Sequence, residues 1–277
     1  MAERADLIRL AVFGRPIAHS LSPEIHRRFA AQAGLAVDYR AIESSPESFP
    51  QHVRDLAATG GRGCNVTVPL KHLAWKLGGS CSSQAQQAQA ANTLVLDGPG
   101  KVHADNTDGR GLVADLRQGL AKPLAGGHVL VLGAGGAAAG ILGDLLHQEP
   151  ARVVVANRTP ERAHALASRF SSAGRVSGCG LDQLADAEAF DLVINATSLG
   201  HTGQSPAPSQ DLFADASLCY DLNYGQAAEP LRKHCREHGI EFRDGLGMLV
   251  EQAALSFQLW TGFEADGRAV LQALRRV

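Results

Sequence analysis

Residues 128–142 constrain this chain more than any other stretch. His128, Val129, Leu130, Val131 and Leu132 form an apolar run that stops at Gly133-Ala134-Gly135-Gly136-Ala137. Small and apolar residues with helical spacing follow. The pattern predicts a strand, a tight turn and a helix N-terminus. Such a turn leaves backbone N–H groups free above the helix, where the dipole favours an anion. Glycines there serve the turn, the close approach of a pyrophosphate and strand–helix packing. The next glycine is Gly140, so the spacing is not strictly Gly-x-Gly-x-x-Gly. Taken alone, the motif also fits a tight βα turn with no ligand.

A second strand, residues 152–156, raises the nucleotide reading above that of an empty turn, although its arginines also fit an ordinary surface loop. A dinucleotide fold ordinarily ends this strand with an acid for the ribose 2′-hydroxyl. This chain reads Asn157-Arg158-Thr159-Pro160-Glu161-Arg162. Two arginines in place of the acid favour a 2′-phosphate, and so NADP over NAD. Apolar strands near 192 and 218 extend the unit into a doubly wound sheet. The second of these runs into Asp221-Leu222-Asn223-Tyr224.

The first hundred residues also alternate strand and helix, predicting a mostly parallel sheet with ligands off the strands' carboxyl ends. Residues 9–14 and 37–42 read as strands. Ser22-Pro23 reads as an N-cap and first helical residue, with Gly34 as the stop. Ser20 and Ser22 flank that helix start, where hydroxyls and N–H groups can hold a carboxylate. A second helix opens at Ser45-Pro46-Glu47. Residues 63–68 read as a third strand, closed by Pro69, with a helix beginning at Leu70-Lys71. Lysine is scarce, five against twenty-one arginines. A cation is unfavourable at a helix N-terminus, which slightly disfavours an ordinary surface lysine at Lys71 and favours one with an anion or a chemical role. Residues 78–91 carry little pattern. A strand from Asn92, a turn at Asp97-Gly98-Pro99-Gly100 and a return from Lys101 predict a hairpin. Asp105-Asn106-Thr107-Asp108 then precedes a helix running to Gly119. That polar cluster serves either capping or, through Asp108, catalysis. Near the C-terminus, Met248, Gln252 and Leu259 fall on one helical face. The apolar neighbours of Gln252 leave open whether it is part-exposed or reaches a ligand.

Net charge is −2, which gives no electrostatic case for nucleic acid or an anionic membrane. No apolar run approaches the ~20 residues of a membrane span. The opening Met1-Ala2-Glu3-Arg4-Ala5-Asp6 is unlike a secretory signal. Five scattered cysteines without Cys-x-x-Cys argue against disulfides or zinc and for a cytoplasmic setting. No metal is expected. A homodimer is one of several assembly states the chain allows.

These motifs together resemble the shikimate dehydrogenase family, with its quinate/shikimate branch, over nearly the whole chain. The resemblance rests on Ser20-Leu21-Ser22-Pro23, Asn65-Val66-Thr67-Val68-Pro69-Leu70-Lys71, Asn92-Thr93, Asp105 to Gly109, Gly133 to Ala137, Asn157-Arg158-Thr159, Asn195-Ala196-Thr197-Ser198, Tyr220 to Tyr224 and Asp244 to Gln252. It implies a two-domain α/β protein that reduces 3-dehydroshikimate to shikimate with NADPH, on the route to chorismate and aromatic amino acids. A substrate domain of residues 1–107 plus 244–277 would be completed by C-terminal helices. A Rossmann-like NADP domain would span 108–243, with a closing cleft between the two. Lys71 and Asp108 look like the catalytic pair. Ser20 and Ser22, assisted by Tyr224, would hold the substrate carboxylate. Thr67, Asn92, Asp108 and Gln252 would bind ring hydroxyls or the carboxylate end. Gly133, Ala134, Gly135, Gly136 and Ala137, with Asn157, Arg158, Thr159 and Arg162, would hold NADP. Leu222 and Gly245 would lie near the nicotinamide.

The chemistry fits independently. Hydride transfer to a ketone builds negative charge on oxygen, which a nearby ammonium stabilises and protonates. His19 and His72 are rival acids. The chain departs from the family pattern at Gln89-Ala90-Ala91, where Gly-Ala-Val is usual. It also carries Ser83 where an acid is usual, and Glu229-Pro230 where Thr-Pro is usual. Competing readings are a quinate/shikimate dehydrogenase of broader substrate or NAD use, and a non-catalytic NADP-binding sensor. The sensor would have no reason to keep both Lys71 and Asp108. A methyltransferase sharing the glycine turn would want an acid after the second strand.

Overall fold

Alternation of apolar strands with amphipathic helices yields two sheets in a computed structural model, which describes residues 7–98, 100–118, 123–185 and 187–276. The acidic start at Met1 to Asp6, the turn residue Pro99 and the expected helix end at Gly119 lie outside the described residues. Contacts divide the chain into one unit of Met1–Gly111 with Leu249–Val277 and a second of Leu112–Met248. Both changeovers fall inside helices.

The first unit opens with β1 (Ile8–Gly14), α1 (Ser22–Ala33), β2 (Val37–Glu43), α2 (Phe49–Ala58), β3 (Gly61–Val66) and α3 (Lys71–Leu77). It continues through β4 (Ser80–Cys81), α4 (Ser83–Ala88), β5 (Thr93–Leu96), β6 (Val102–Asp105) and α5 (Asp108–Arg117), which crosses into the second unit. The sheet order is β2-β1-β3-β5-β6-β4. It is mixed rather than mostly parallel, because β5 of the short β5–β6 hairpin runs antiparallel to β3. One face buries Phe13, Phe49, Val66, Leu70 and Leu94. Each such side chain contributes about 1.5–3 kcal/mol of burial.

Two helix starts differ from expectation. Ser22 does not cap α1: the capping residue is Leu21, without a side-chain bond. Instead Ser20 Oγ accepts from the Ser22 N–H at 3.2 Å. The turn Ser45–Ser48 closes on itself, Ser48 Oγ accepting from the Ser45 N–H at 3.0 Å, so α2 starts only at Phe49. Gly34 ends α1 in the left-handed region, φ +65°, as its position predicts.

The second unit holds β7 (His128–Leu132), α6 (Gly136–Leu146), β8 (Arg152–Asn157), α7 (Pro160–Phe170), β9 (Val176–Gly180), β10 (Phe190–Asn195), β11 (Phe213–Asp221), α8 (Glu229–Glu237) and β12 (Glu241–Asp244). The order β12-β11-β10-β7-β8-β9 is parallel throughout, the doubly wound Rossmann arrangement. Leu130, Leu132, Val154, Phe190 and Val193 fill one face. α9 (Leu246–Thr261) carries the chain back to the first unit, and α10 (Gly267–Arg275) ends it there. Leu259 is exposed, so the expected Met248–Gln252–Leu259 face is buried only at its first two members. Among the described residues no helix is long and apolar enough to cross a membrane.

Candidate active site

In the first unit, the antiparallel β5–β6 hairpin brings the start of β5 and the end of β6 to the carboxyl end of β3. Asn65 pairs with Thr93, and Thr93 with Asp105. Lys71 begins α3 just past β3, and Asp108 begins α5 just past β6. Lys71 Nζ donates to Asp108 Oδ2 at 2.5 Å. The side chains are only 12% and 5% exposed. An acid in the first turn of α5 is favoured by the dipole, and it supplies the anion that Lys71 lacks on its own helix.

Asn92 and Gln252 complete this set. The Thr107 N–H donates to Asn92 Oδ1 at 2.9 Å, which fixes the amide's orientation. Asn92 Nδ2 therefore faces Asp108 Oδ1 and Gln252 Oε1, each at 2.9 Å. Gln252 is fixed likewise, donating Nε2–H to the Leu249 carbonyl at 2.7 Å. Gln252 is buried, which excludes the part-exposed reading.

Behind these residues stands a network in which the sequence assigns no roles. Asn65 Nδ2 donates to the Asn92 carbonyl at 3.2 Å and to Ser256 Oγ at 3.0 Å. Asn65 Oδ1 accepts from the Tyr39 hydroxyl at 2.7 Å and from His26 Nε2 at 3.2 Å. His26 is therefore the Nε2–H tautomer. It is fully buried, and its ring stacks on Tyr39 at 4.2 Å. Burial pushes its pKa down to about 3. Burial also pushes the Tyr39 hydroxyl well up, opposed by a hydrogen bond from Ser22. One signal was available in the sequence: Ser256 lies one helical turn from Gln252.

Ser20 follows β1 and Thr67 follows β3; these strands are parallel neighbours, so both residues lie in connections that leave the carboxyl end of the sheet. The Thr67 N–H donates to the Phe13 carbonyl at 2.9 Å, and its methyl lies against Gly14. The rival acid His72 is turned to the Gln89 carbonyl, 2.9 Å away. Gln89 caps α4 with φ +50°, the left-handed conformation that explains a glycine at this position elsewhere in the family pattern.

In the second unit, Gly133 leaves β7 with φ +106°, and a Cβ there would meet the Ala196 backbone at 3.1 Å. Gly135, the N-cap of α6, is different. Its backbone is ordinary and a Cβ would touch nothing within 4 Å. The protein's own packing does not require glycine there, which fits a phosphate approaching from outside. Beyond β8, Asn157 Nδ2 donates to the Thr159 carbonyl at 3.0 Å. Arg158 and Arg162 are exposed, and neither joins an ion pair among the described residues. The residues thus fit a 2′-phosphorylated dinucleotide. Leu222 and Gly245 sit at the ends of β11 and β12; the Gly245 N–H donates to the Asn223 carbonyl at 2.9 Å. Tyr224 is half-buried just beyond β11. Among the described residues no cluster could hold a metal.

Comparison with known proteins decides the family. The descriptions "Shikimate dehydrogenase substrate binding domain", "Shikimate / quinate 5-dehydrogenase" and "Shikimate 5'-dehydrogenase C-terminal domain" match residues 12–94, 115–203 and 245–275. Shikimate dehydrogenase (NADP(+)) of Acidovorax sp. (strain JS42) is 49% identical over 99% of this chain and 98% of its own. The enzyme of that name from Methylococcus capsulatus is 47% identical, over 96% of this chain and 95% of its own. The chain belongs to the shikimate dehydrogenase family. Shikimate 5-dehydrogenase from Thermus thermophilus, solved in complex with NADP(H) and shikimate, is 35% identical. It superposes with a TM-score of 0.83, covering 97% of this chain and 99% of that one.

Proposed function

We propose that this chain catalyses the reversible NADPH-dependent reduction of 3-dehydroshikimate to shikimate, a step towards chorismate and aromatic amino acids. The observation that carries this reading is the largely buried Lys71–Asp108 pair, locked to Asn92 and Gln252, in a chain of this family. The first unit is the substrate domain and the second the cofactor domain. The five unpaired cysteines fit a reducing cytoplasm.

Bound NADPH supplies the hydride. The Lys71 ammonium hydrogen-bonds the carbonyl oxygen and strengthens its grip as that oxygen becomes an alkoxide, then gives up a proton to form the alcohol. Asp108 aims the ammonium and accepts from a ring hydroxyl. Asn92 and Gln252, held in single orientations, present fixed donors and acceptors to neighbouring hydroxyls, so little reorganisation is needed on binding. Ser20 and Ser22 hold the carboxylate of the substrate, with Thr67 and Tyr224 assisting. Gly133 to Ala137 hold the pyrophosphate, Asn157 to Arg162 the 2′-phosphate, and Leu222 and Gly245 the nicotinamide end.

The test is an absorbance assay at 340 nm with shikimate or quinate, each against NADP+ and NAD+. Turnover of shikimate with NADP+ well above the other three pairs supports the proposal, and no turnover with any pair removes it. The cofactor assignment has its own test. Arg158→Ala is expected to lower the NADP+ over NAD+ ratio of kcat/KM about 10- to 100-fold, the value of a charge-assisted hydrogen bond. An unchanged ratio would move the 2′-phosphate contact elsewhere.

A further inference from the structure

In the second unit, chain order reverses between β7 and β10, and a dinucleotide lies across that switch point. The pyrophosphate belongs to the turn after β7 and the 2′ contact to the end of β8. The nicotinamide half is therefore left with the carboxyl ends of β10 and β11, where Asn195 and Asp221 stand.

Asp221 is buried. Its Oδ1 accepts from Asn195 Nδ2 at 2.9 Å, the Asn223 N–H at 3.0 Å and Asn223 Nδ2 at 2.8 Å. Asn223 in turn donates to the Thr197 carbonyl at 3.0 Å and accepts from the Gly245 N–H at 2.9 Å. One carboxylate oxygen thus ties the end of β10 to the turn after β11, and the backbone of Asn223 carries the link on to the end of β12. The other, Oδ2, is buried without a hydrogen-bond partner. Among the described residues no cationic side chain is paired with Asp221. The charge it faces on β12 is Asp244, its register partner, whose own carboxylate is held by Arg232 of α8 at 2.9 Å. Its remaining titratable neighbours are the thiols of Cys219 on β11 and Cys235 on α8, whose ionisation its charge opposes. Burial pushes the Asp221 carboxyl up to about 6. Asparagine would keep the same shape and acceptor oxygen without the desolvated charge, so the charge itself calls for a function.

We propose that Asp221 is a positioning residue of the cofactor site whose negative charge favours the cationic oxidised nicotinamide over the neutral reduced one. This rests on the reading of the crevice as an NADP site. An anion at this end of the crevice would interact more strongly with NADP+ than with NADPH, and that difference is a coupling free energy readable in affinities.

The test is calorimetric measurement of Kd for NADP+ and NADPH between pH 5 and 8, in the wild-type chain and in Asp221→Asn. The 2′-phosphate is common to both ligands and cancels in the ratio. The wild-type ratio Kd(NADP+)/Kd(NADPH) should rise as pH falls and Asp221 takes up a proton. In Asp221→Asn it should be raised about 5-fold at pH 8 and be flat with pH. That is a rise of about 20 mV in the potential of the bound couple. Equal weakening of both ligands would reduce Asp221 to a structural role and overturn the proposal, as would an unchanged ratio. Should the variant not fold, the wild-type series still decides: a ratio flat from pH 8 to 5 overturns it. Wild-type chain that binds neither nucleotide would instead overturn the NADP reading itself, which a flat ratio does not.

Discussion

Replacing Lys71 with methionine is expected to lower kcat for shikimate oxidation about 10²- to 10⁴-fold, the range for a positioned acid–base group. Methionine keeps the length and apolar stem of lysine but has no proton to give. Because the lost interaction grows with charge on the reacting oxygen, kcat should fall with kcat/KM, rather than KM rising alone. Calorimetric binding of NADP+ should persist. The variant should also be less stable. Its partner Asp108 keeps Asn92 but loses its cation in a site where it is 5% exposed, and breaking a buried pair costs about 3–5 kcal/mol. Adding Asp108→Asn removes the uncompensated charge, so the double variant should recover part of that stability while staying inactive. Activity within tenfold of wild type in Lys71→Met would take Lys71 out of the mechanism. Stability that falls further in the double variant would mean that Asp108 was not left charged.

How far such a site can be read from sequence depends on how each element is buried. The inner strands of the second unit stand out because both faces are covered: Val129 to Leu132 and Val153 to Ala156 are continuous apolar runs, every residue buried. The edge strands β9 and β12 do not. Val176–Gly180 contains three small residues, and Glu241–Asp244 is mostly charged, so neither alternates or concentrates apolar groups. β4 and α4 hide in a Ser/Gln/Ala tract for the same reason. The N-cap assigned to Ser22 fails because the Ser20 hydroxyl, two residues upstream, accepts the N–H at the helix start. Lys71 and Asp108 are legible separately, as a cation and an acid each beginning a helix after a strand. Their meeting follows only from the family resemblance and not from the local pattern, since it requires the β5–β6 hairpin to fold back antiparallel beside β3. Asn65 and Ser256 are further still from being paired by inspection. They are 191 residues apart in the chain, and their contact exists only because α9 returns to the first sheet.

Acidification from pH 7 to pH 5 is expected to act in opposite directions on the two units. His26 is held neutral by burial, with its pKa at about 3 against an ordinary 6.5. The unfolded chain therefore takes up a proton that the native chain refuses, and the first unit loses about 2 kcal/mol by pH 5. Asp221 has its pKa raised from 3.8 to about 6. The native state there takes up a proton before the unfolded chain does, so the second unit regains about 1 kcal/mol over the same interval. Hydrogen exchange resolved by peptide reads the two separately: amides of β3 should lose protection on acidification while amides of β11 gain it. His26→Phe keeps a ring against Tyr39, removes the unpartnered Nδ1 and gives up the bond to Asn65. At pH 7 these changes nearly offset, and at pH 5 the variant should be about 2 kcal/mol more stable than wild type. Asp221→Asn should abolish the acid-induced gain in β11 and leave β3 untouched. If the two units unfold together, the opposing terms partly cancel in the wild-type urea midpoint, and each variant exposes the other's pH dependence. A His26→Phe chain that loses stability between pH 7 and 5 as steeply as wild type would show that a different buried base carries the acid sensitivity.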